Sequence, residues 1–498
     1  VAMTAVAAIA LLGWWTLWKG PSEVGGPILS SIAVLPLENV SGDPEEDYFV
    51  DGMTDALITD LSKIRALQVI ARHSAMRYKG TDKPLAEIAQ ELNVEGVIKG
   101  SVQREADQVQ ITAQLIDAAT GQNLWSESYE RKLTSILALH GEVAQTIARQ
   151  IQVTLSPAEE TSLTPTRQVN PEAYEAYLKG MSHWYQWGPA DLDTAQQYFE
   201  LALEKDPDYA QAHAGLAIVW GTRYQFGLGQ RSEVDMERNR ALQRAYELDP
   251  TLPEVHFWQA SGSAWVDWDW EAADAKFLRA IELNPNYVNS RAYYANYLML
   301  MQRQDEALYQ IEHALELDPF NAVSHEFYGQ LLESTGRYDV LIEHCQSLLK
   351  RDPNHANAFG RLGCAFHANG RYEEALEFDK AAAEVGFGPE LVQAMVQGYE
   401  EAGYPGAYGQ AAEALVAQSG SYNRMRLLQL VWFYAVAGKN QEALDWLERG
   451  IDQRDPTMPY VTFCVKARNL RQEPRYRALL QRMNFPEDVI ARILEESS

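Results

Sequence analysis

Five times in this chain of 498 residues a helix-like run is cut off by Asp-Pro or Asn-Pro. The prolines are Pro207 (LALEKDP), Pro250 (AYELDP), Pro285 (AIELNP), Pro319 (ALELDP) and Pro353 (LLKRDP). Successive spacings are 43, 35, 34 and 34 residues. Proline at this phase ends a helix, because its ring blocks the preceding turn and it offers no N–H. A fixed interval means that one supersecondary unit is being stacked. Other positions keep step. Ala195, Phe199 and Ala202 recur as Ala273, Phe277 and Ala280, then as Ala307, Ile311 and Ala314, and Ala375 and Ala443 hold the equivalent place later. Small residues at these sites let two helices approach, and the large one fills the space beside them. Gly336 in STGRYDV and Gly370 in ANGRYEEA supply turns within a unit.

A period of about 34 residues is that of the tetratricopeptide repeat. The pattern predicts an all-α solenoid over 171–485, with about eight units, looser ones near 356–386, 389–418 and 424–454, and a tail over 486–498. Stacked helix pairs curve and present an extended inner groove. The first helices of the units carry the candidate peptide-groove residues Tyr177, His183, Tyr293, Asn296, His325 and Arg361. The expected partner is a protein or peptide on this concave face, basic or neutral in charge because the array is net acidic. Trp265, Trp268 and Trp270 read first as repeat core; an aromatic wall for a bound peptide is the sharper alternative.

Upstream, over 31–155, the period changes. Ser31–Leu37 is a short apolar run stopped by Pro36 and a turn-rich stretch, as a buried strand would be. Met53, Leu57, Ile58, Leu61 and Ile64 fall on one helical face. Leu67–Ala71 reads as a second strand, and Pro84 opens a helix, PLAEIAQEL. The runs 94–104, 109–118 and 123–131 alternate with period two and are separated by hairpin turns. A helix with Ile136, Leu137, Val143, Ile147 and Ile151 on one face closes the unit. This is a small α/β mixed-sheet domain with no glycine-rich phosphate loop. Asp43, Asp47, Asp51 and Asp55 lack the order of a calcium loop and read as turn and cap residues. Residues 156–170 (SPAEETSLTPTRQVN) read as a linker.

The string IAVLPLENVSGDPEEDYFVDGMTDALITDLSKI, with VEGVIKGSVQR and VQITAQLIDAATGQNLWSESYER behind it, resembles the TolB amino-terminal-like domain of bacterial membrane signalling proteins. AWVDWDWEAADAKFLRAIELNPNY and RNLRQEPRYRALLQRMNFP resemble a repeat and the closing segment of the arrays in the same proteins. The resemblance implies an architecture. A cytoplasmic winged-helix, cyclase or kinase domain leads into a membrane helix, followed by this α/β domain and the repeats, both outside the cytoplasm. It carries no catalytic residues over.

Residues 1–18 (VAMTAVAAIALLGWWTLW) are uncharged, with Trp14, Trp15 and Trp18 clustered at one end and Lys19 next. They predict a transmembrane helix, and 19–30 a tether. The whole then reads as a multidomain, single-pass protein of the bacterial inner membrane. Its function would be the non-catalytic signal-input and interaction region of a regulator, with a transcriptional or cyclase output domain expected ahead of Val1. The alternative is a free-standing, membrane-anchored scaffold for envelope proteins.

A net charge of −27 repels phosphate backbones, so direct nucleic-acid binding by this chain is not expected. The sequence lacks Walker, HExxH and GxSxG motifs, and its ten His are scattered. No catalytic residue, cofactor or metal is expected. Cys345, Cys364 and Cys464 share no close spacing and read as buried thiols, with Cys345–Cys364 the one pair placed on neighbouring helices.

Overall fold

The structure is a computed structural model that describes residues 29–164, 168, 170–186, 188–225, 228, 230–417 and 425–495. The transmembrane helix expected over 1–18 lies outside the described residues. Among these, no helix is long and apolar enough to cross a membrane.

The amino-terminal part is a mixed sheet with helices on both faces. Its elements are β1 (Ser31–Val34), β2 (Glu38–Asn39), α1 (Asp47–Ser62), β3 (Gln68–Val69), α2 (Arg72–Met76), α3 (Leu85–Leu92), β4 (Gly96–Glu105), β5 (Gln108–Asp117), β6 (Asn123–Lys132) and α4 (Ile136–Gln150). The sheet order is β3-β1-β4-β5-β6, with β2 paired to β4. β1 runs parallel to both β3 and β4, whereas β4, β5 and β6 form an antiparallel meander. All four residues of β1 are buried because both its faces are covered. Ile32, Val34, Ile98, Val102 and Ile111 meet α1 and α4 on one side. Ala33, Leu35, Ile70 and Val97 meet Ile88, Ala89 and Leu92 of α3 on the other. This alternation is the period of two that the sequence carries.

Within 156–170 a short helix, α5 (Pro157–Ser162), is fixed by a capping box between Ser156 and Glu159. The solenoid follows as α6 (Pro171–Trp184), α7 (Pro189–Lys205), α8 (Ala210–Gln225), α9 (Arg231–Leu248), α10 (Pro253–Gly262), α11 (Trp270–Leu283), α12 (Val288–Leu300), α13 (Gln304–Leu317), α14 (Ala322–Ser334) and α15 (Tyr338–Arg351). It continues through α16 (Ala356–Ala368), α17 (Tyr372–Gly386), α18 (Pro389–Ala417), α19 (Met425–Val436) and α20 (Asn440–Asp452). Consecutive helices pair into hairpins. Within α18 the backbone leaves helical geometry at Ala402 and Gly403, so this span is itself two helices joined at a kink. The register residues Ala195, Phe199, Ala202, Ala273, Phe277, Ala280, Ala307, Ile311 and Ala314 are all fully buried.

A device not anticipated from the sequence secures four of the five Asx-Pro turns; Phe359, at the equivalent place after Pro353, has no side-chain donor. The residue six positions after the repeat proline reaches back to that proline's carbonyl. His213, His256 and His325 do so through Nε2 at 3.0, 2.8 and 3.0 Å, and Arg291 donates from Nε at 2.5 Å. These carbonyls lie in the turns between helices, where no intrahelical donor serves them. Three of the chain's histidines are thereby accounted for as structural groups.

The array does not stop at α20. Two 3-10 segments, Met458–Thr462 and Val465–Gln472, lead into α21 (Pro474–Arg482) and α22 (Glu487–Glu495). The segment 486–498, expected as a tail, contains α22, which buries Val489, Ile490 and Ile493.

Candidate functional site

The inner face of the solenoid is occupied. The irregular segment 455–473, here called the strap, lies along the first helices of successive hairpins. It buries Met458, Val461, Phe463, Cys464, Val465, Ala467 and Leu470 against them. Room is made for it by small residues: a Cβ on Gly450 would collide with the Met458 sulfur.

Helices between α12 and α19 set polar groups against the strap. From α12, Asn296 Oδ1 accepts from the Tyr460 hydroxyl at 2.9 Å, while its amide donates to Gln330 Oε1 of α14 at 2.8 Å. From α14, Glu333 Oε1 accepts the Val465 backbone N–H at 3.1 Å. From α16, Arg361 bonds Glu333 and lies 3.2 Å from Glu326, with its guanidinium 5.9 Å from the Phe463 ring centre. From α17, Asp379 accepts from Lys466 Nζ at 2.7 and 2.6 Å and from the Tyr408 hydroxyl of α18. From α19, the Ala435 carbonyl accepts from Asn469 at 2.9 Å. Asp379 sits where Gly363 leaves space, since a Cβ at Gly363 would strike its carboxylate. Lys466 and Asp379 are each less than one-tenth exposed. Burial is the largest single influence on Lys466 and would push its ammonium towards neutrality, but Asp379, Cys364 and Tyr404 together outweigh it and raise the pKa above the ordinary lysine value.

Beyond the strap the chain closes on its own third hairpin. Trp270 Nε1 donates to the Met483 carbonyl at 3.0 Å, and its indole stacks on Phe485 at 4.8 Å. The Arg454 guanidinium lies 4.5 Å from the Trp268 ring centre. Trp265, Trp268 and Trp270 are core residues, and two of them hold the chain's own carboxyl end.

The structure separates the six expected groove residues. Asn296 and Arg361 hold the strap. Tyr293 lies beside them, packed edge-on against Phe257, Trp265 and Phe327 with ring centres 5.2, 5.7 and 5.1 Å away. His325 is bound to its proline carbonyl, and burial lowers its pKa. Tyr177 packs on Phe199 and Tyr209 in the first hairpin. His183 stacks on Tyr198 at 5.6 Å, in a polar cleft shared with Tyr48, Arg104 and Glu175. Sequence reasoning missed Glu333, Asp379 and Lys466. A buried Asp in the middle of a repeat helix beside a Gly-containing helix was the available signal.

A second interface runs along the inter-repeat turns, where the α/β domain docks. Asn286 Nδ2 donates to the Ser62 and Leu67 carbonyls, both at 2.9 Å, and Asn284 Nδ2 to Ser62 Oγ at 2.9 Å. One turn later Asp318 accepts from Ser74 Oγ at 2.5 Å, and Ala71 N donates to the Leu317 carbonyl at 2.8 Å. This explains why one turn reads Asn-Pro-Asn. An amide can donate to a carbonyl and an aspartate cannot.

Comparison with known proteins agrees with the repeat reading. A tetratricopeptide repeat family model matches residues 344–377. The chain is 38% identical over 241 residues to "Putative adenylate cyclase 3" of Rhizobium meliloti (strain 1021), a stretch that is 48% of this chain and 41% of that protein. The chain thus spans about two-fifths of the length of this curated relative. Among solved structures, a tetratricopeptide repeat protein from Parabacteroides merdae aligns at 15% identity and TM-score 0.38, covering 55% of this chain and all of its own. The protein pilF of Pseudomonas aeruginosa aligns at 18% identity and TM-score 0.29, covering 43% and 97% respectively. The chain is a small mixed-sheet domain followed by a tetratricopeptide solenoid, a protein-interaction architecture.

Proposed function

We propose that this chain is the non-catalytic signal-input and interaction region of a membrane-anchored, cyclase-linked bacterial regulator. The observation that carries the proposal is the 38% identity to the Rhizobium meliloti relative, together with the order of α/β domain and repeats. On this reading residues 31–155 are a TolB amino-terminal-like domain, residues 1–18 are the membrane anchor, and residues 31–498 lie outside the cytoplasm. An amino-terminal cyclase domain is the output. The relative's name favours a cyclase over a winged-helix output. The ligand is a protein or peptide taken on the inner face of the solenoid. The strap's own chemistry supports a basic one: a lysine enters the groove at Asp379, and Glu333 takes a backbone N–H.

A carboxyl-terminal tag on the protein in its native host tests this. The expected product is membrane-bound, longer than 498 residues, and converts ATP to cyclic AMP after purification in detergent. An alkaline phosphatase reporter fused after Ser498 should be active. A soluble product without cyclase activity would sink the proposal, and a membrane-bound one no longer than 498 residues would favour the scaffold alternative.

A further inference from the structure

Between the Glu333 and Lys466 handles, strap and groove each contribute a thiol. Cys464 is on the strap and Cys364 on α16, one hundred residues earlier in the chain. Both are buried. Their sulfurs and a Glu333 carboxylate oxygen all lie within 4.8 Å of one another. Cys345 is not part of this group. It packs with Leu341 and Leu348 of α15 and with Ala358, Leu362 and Ala365 of α16, whereas the thiol that lies within 4.8 Å of Cys364 is Cys464.

Two chemistries could use such a group: a thiophilic cation or a disulfide. The surroundings argue against the cation. Glu333 is already engaged by Arg361 and by the Val465 N–H. Arg361 and Lys466 bring two positive charges beside the thiols. Among the described residues no fourth ligand joins the three, and a structural tetrahedral site needs one. A disulfide needs no further ligand and adds no charge to a buried place.

We propose that Cys364 and Cys464 are a redox pair whose disulfide staples the strap into the groove. The oxidant is a low-molecular-weight or protein disulfide. The thiolate of one cysteine attacks it, forming a mixed disulfide and releasing one thiolate, which takes up a proton. The second cysteine loses its proton and attacks the mixed disulfide, expelling the second thiol. Two protein thiols give up two electrons and two protons, and one disulfide becomes two thiols. Burial raises the Cys464 pKa well above the usual thiol value, so attack proceeds with the strap lifted, and closure delivers the second sulfur. The bond spans a long loop, so it restricts the strap strongly. Oxidised, the groove stays shut to other ligands; reduced, only the non-covalent handles hold it.

The test is redox titration of the purified full chain in glutathione buffers from fully reduced to fully oxidised, quenched by alkylation and read by intact mass and tryptic mapping. The three cysteines fall on separate tryptic peptides, 338–350, 362–371 and 455–466. The expected result is loss of two of three thiols, a linked 362–371/455–466 pair, and Cys345 alkylated throughout. Chymotryptic cleavage within the strap should slow at least tenfold on oxidation in the parent. Cys464→Ser should remove that difference, and Cys345→Ser should keep it. Because the parent alone gives the linkage, a poorly folding variant does not blunt the test. Three free thiols at every ratio, glutathione adducts without a linked pair, or a Cys345–Cys364 link would overturn the proposal. So would stoichiometric zinc that protects the thiols until a chelator is added.

Discussion

The solenoid grips two parts of its own chain by different means. Along its turns it holds the α/β domain chiefly through the neutral Asn284 and Asn286 amides aimed at Ser62 and Leu67, with the Asp318 carboxylate accepting from Ser74 one turn later. Along its inner face it holds the strap with buried charges, Lys466 on Asp379 and Arg361 on Glu333 and Glu326. A neutral amide-to-carbonyl contact costs little to desolvate and specifies position. A buried ion pair contributes little net stability when intact and is severe to break from one side. The first interface behaves as permanent domain packing. The second is all-or-none, either fully seated or intolerable.

The largest expected effect breaks the second grip. Lys466→Met leaves the Asp379 carboxylate buried beside Tyr408, at a cost of about 3–5 kcal/mol. Urea unfolding followed by Trp fluorescence should register it. Adding Asp379→Leu should recover most of the loss; if the double variant is no better than the single, the pair is not coupled as described.

Acid should separate the two interfaces. Burial pulls His140 of α4, His344 of α15 and His367 of α16 down to about 4. Their folded pKa values lie below the unfolded one, so the stability they contribute is complete above about pH 6.5 and is lost as pH falls towards 4. For His140, packed on Met53, this is roughly 3 kcal/mol. His367 bonds Tyr404 next to the strap's ion pair. At the other interface burial raises the carboxyl pKa of Asp55 and of Glu254. A raised carboxyl pKa has the opposite sign, with its contribution present at low pH and lost as pH rises. Hydrogen exchange at pH 5 should therefore show the strap and α4 opening before the α1–α6 contact. Uniform opening would remove the distinction.

Asn286→Asp turns two donors into a carboxylate facing carbonyl oxygens, and about 2 kcal/mol should be lost. Asn286→Ser should cost less, because a hydroxyl can still donate once. Chemical denaturation of the two variants ranks them. The smallest effect sets the baseline: Arg279→Ala removes an exposed i,i+3 pair with Glu282 and should shift stability by under about 0.5 kcal/mol.

The two grips were also unequally legible in the sequence. The repeats could be read because one packing problem is solved again and again, at Ala273, Phe277 and Ala280 and at their equivalents. The meander could be read because β4–β6 are long and alternate. The strap is used once, has no period, and pairs residues from 34 positions apart, Asn469 with Ala435, to 164 apart, Tyr460 with Asn296. Local pattern carries no such information. Arg361 and Asn296 read in the sequence as polar residues facing a groove; what they face there is part of the same chain. His213, His256 and His325 carry a readable signal, a fixed distance of six from three of the five repeat prolines. Strand β2 and helix α2 are too short for any periodic argument.

The return of Met483–Phe485 to Trp270 also has a consequence for how the molecule is made. A polypeptide leaves the ribosome amino end first. Hairpins up to α17 can therefore stack, with Arg361 already paired to Glu333 and Glu326, while the strap residues Phe463, Val465 and Lys466 that will cover Arg361, Glu333 and Asp379 are not yet synthesised. Only when the last fifty or so residues emerge can the strap thread inwards and the final helices meet the third hairpin. Every newly made copy thus passes through an interval with its groove open, whatever the mature protein later allows. A ligand that binds during translation meets a different surface from one that arrives afterwards.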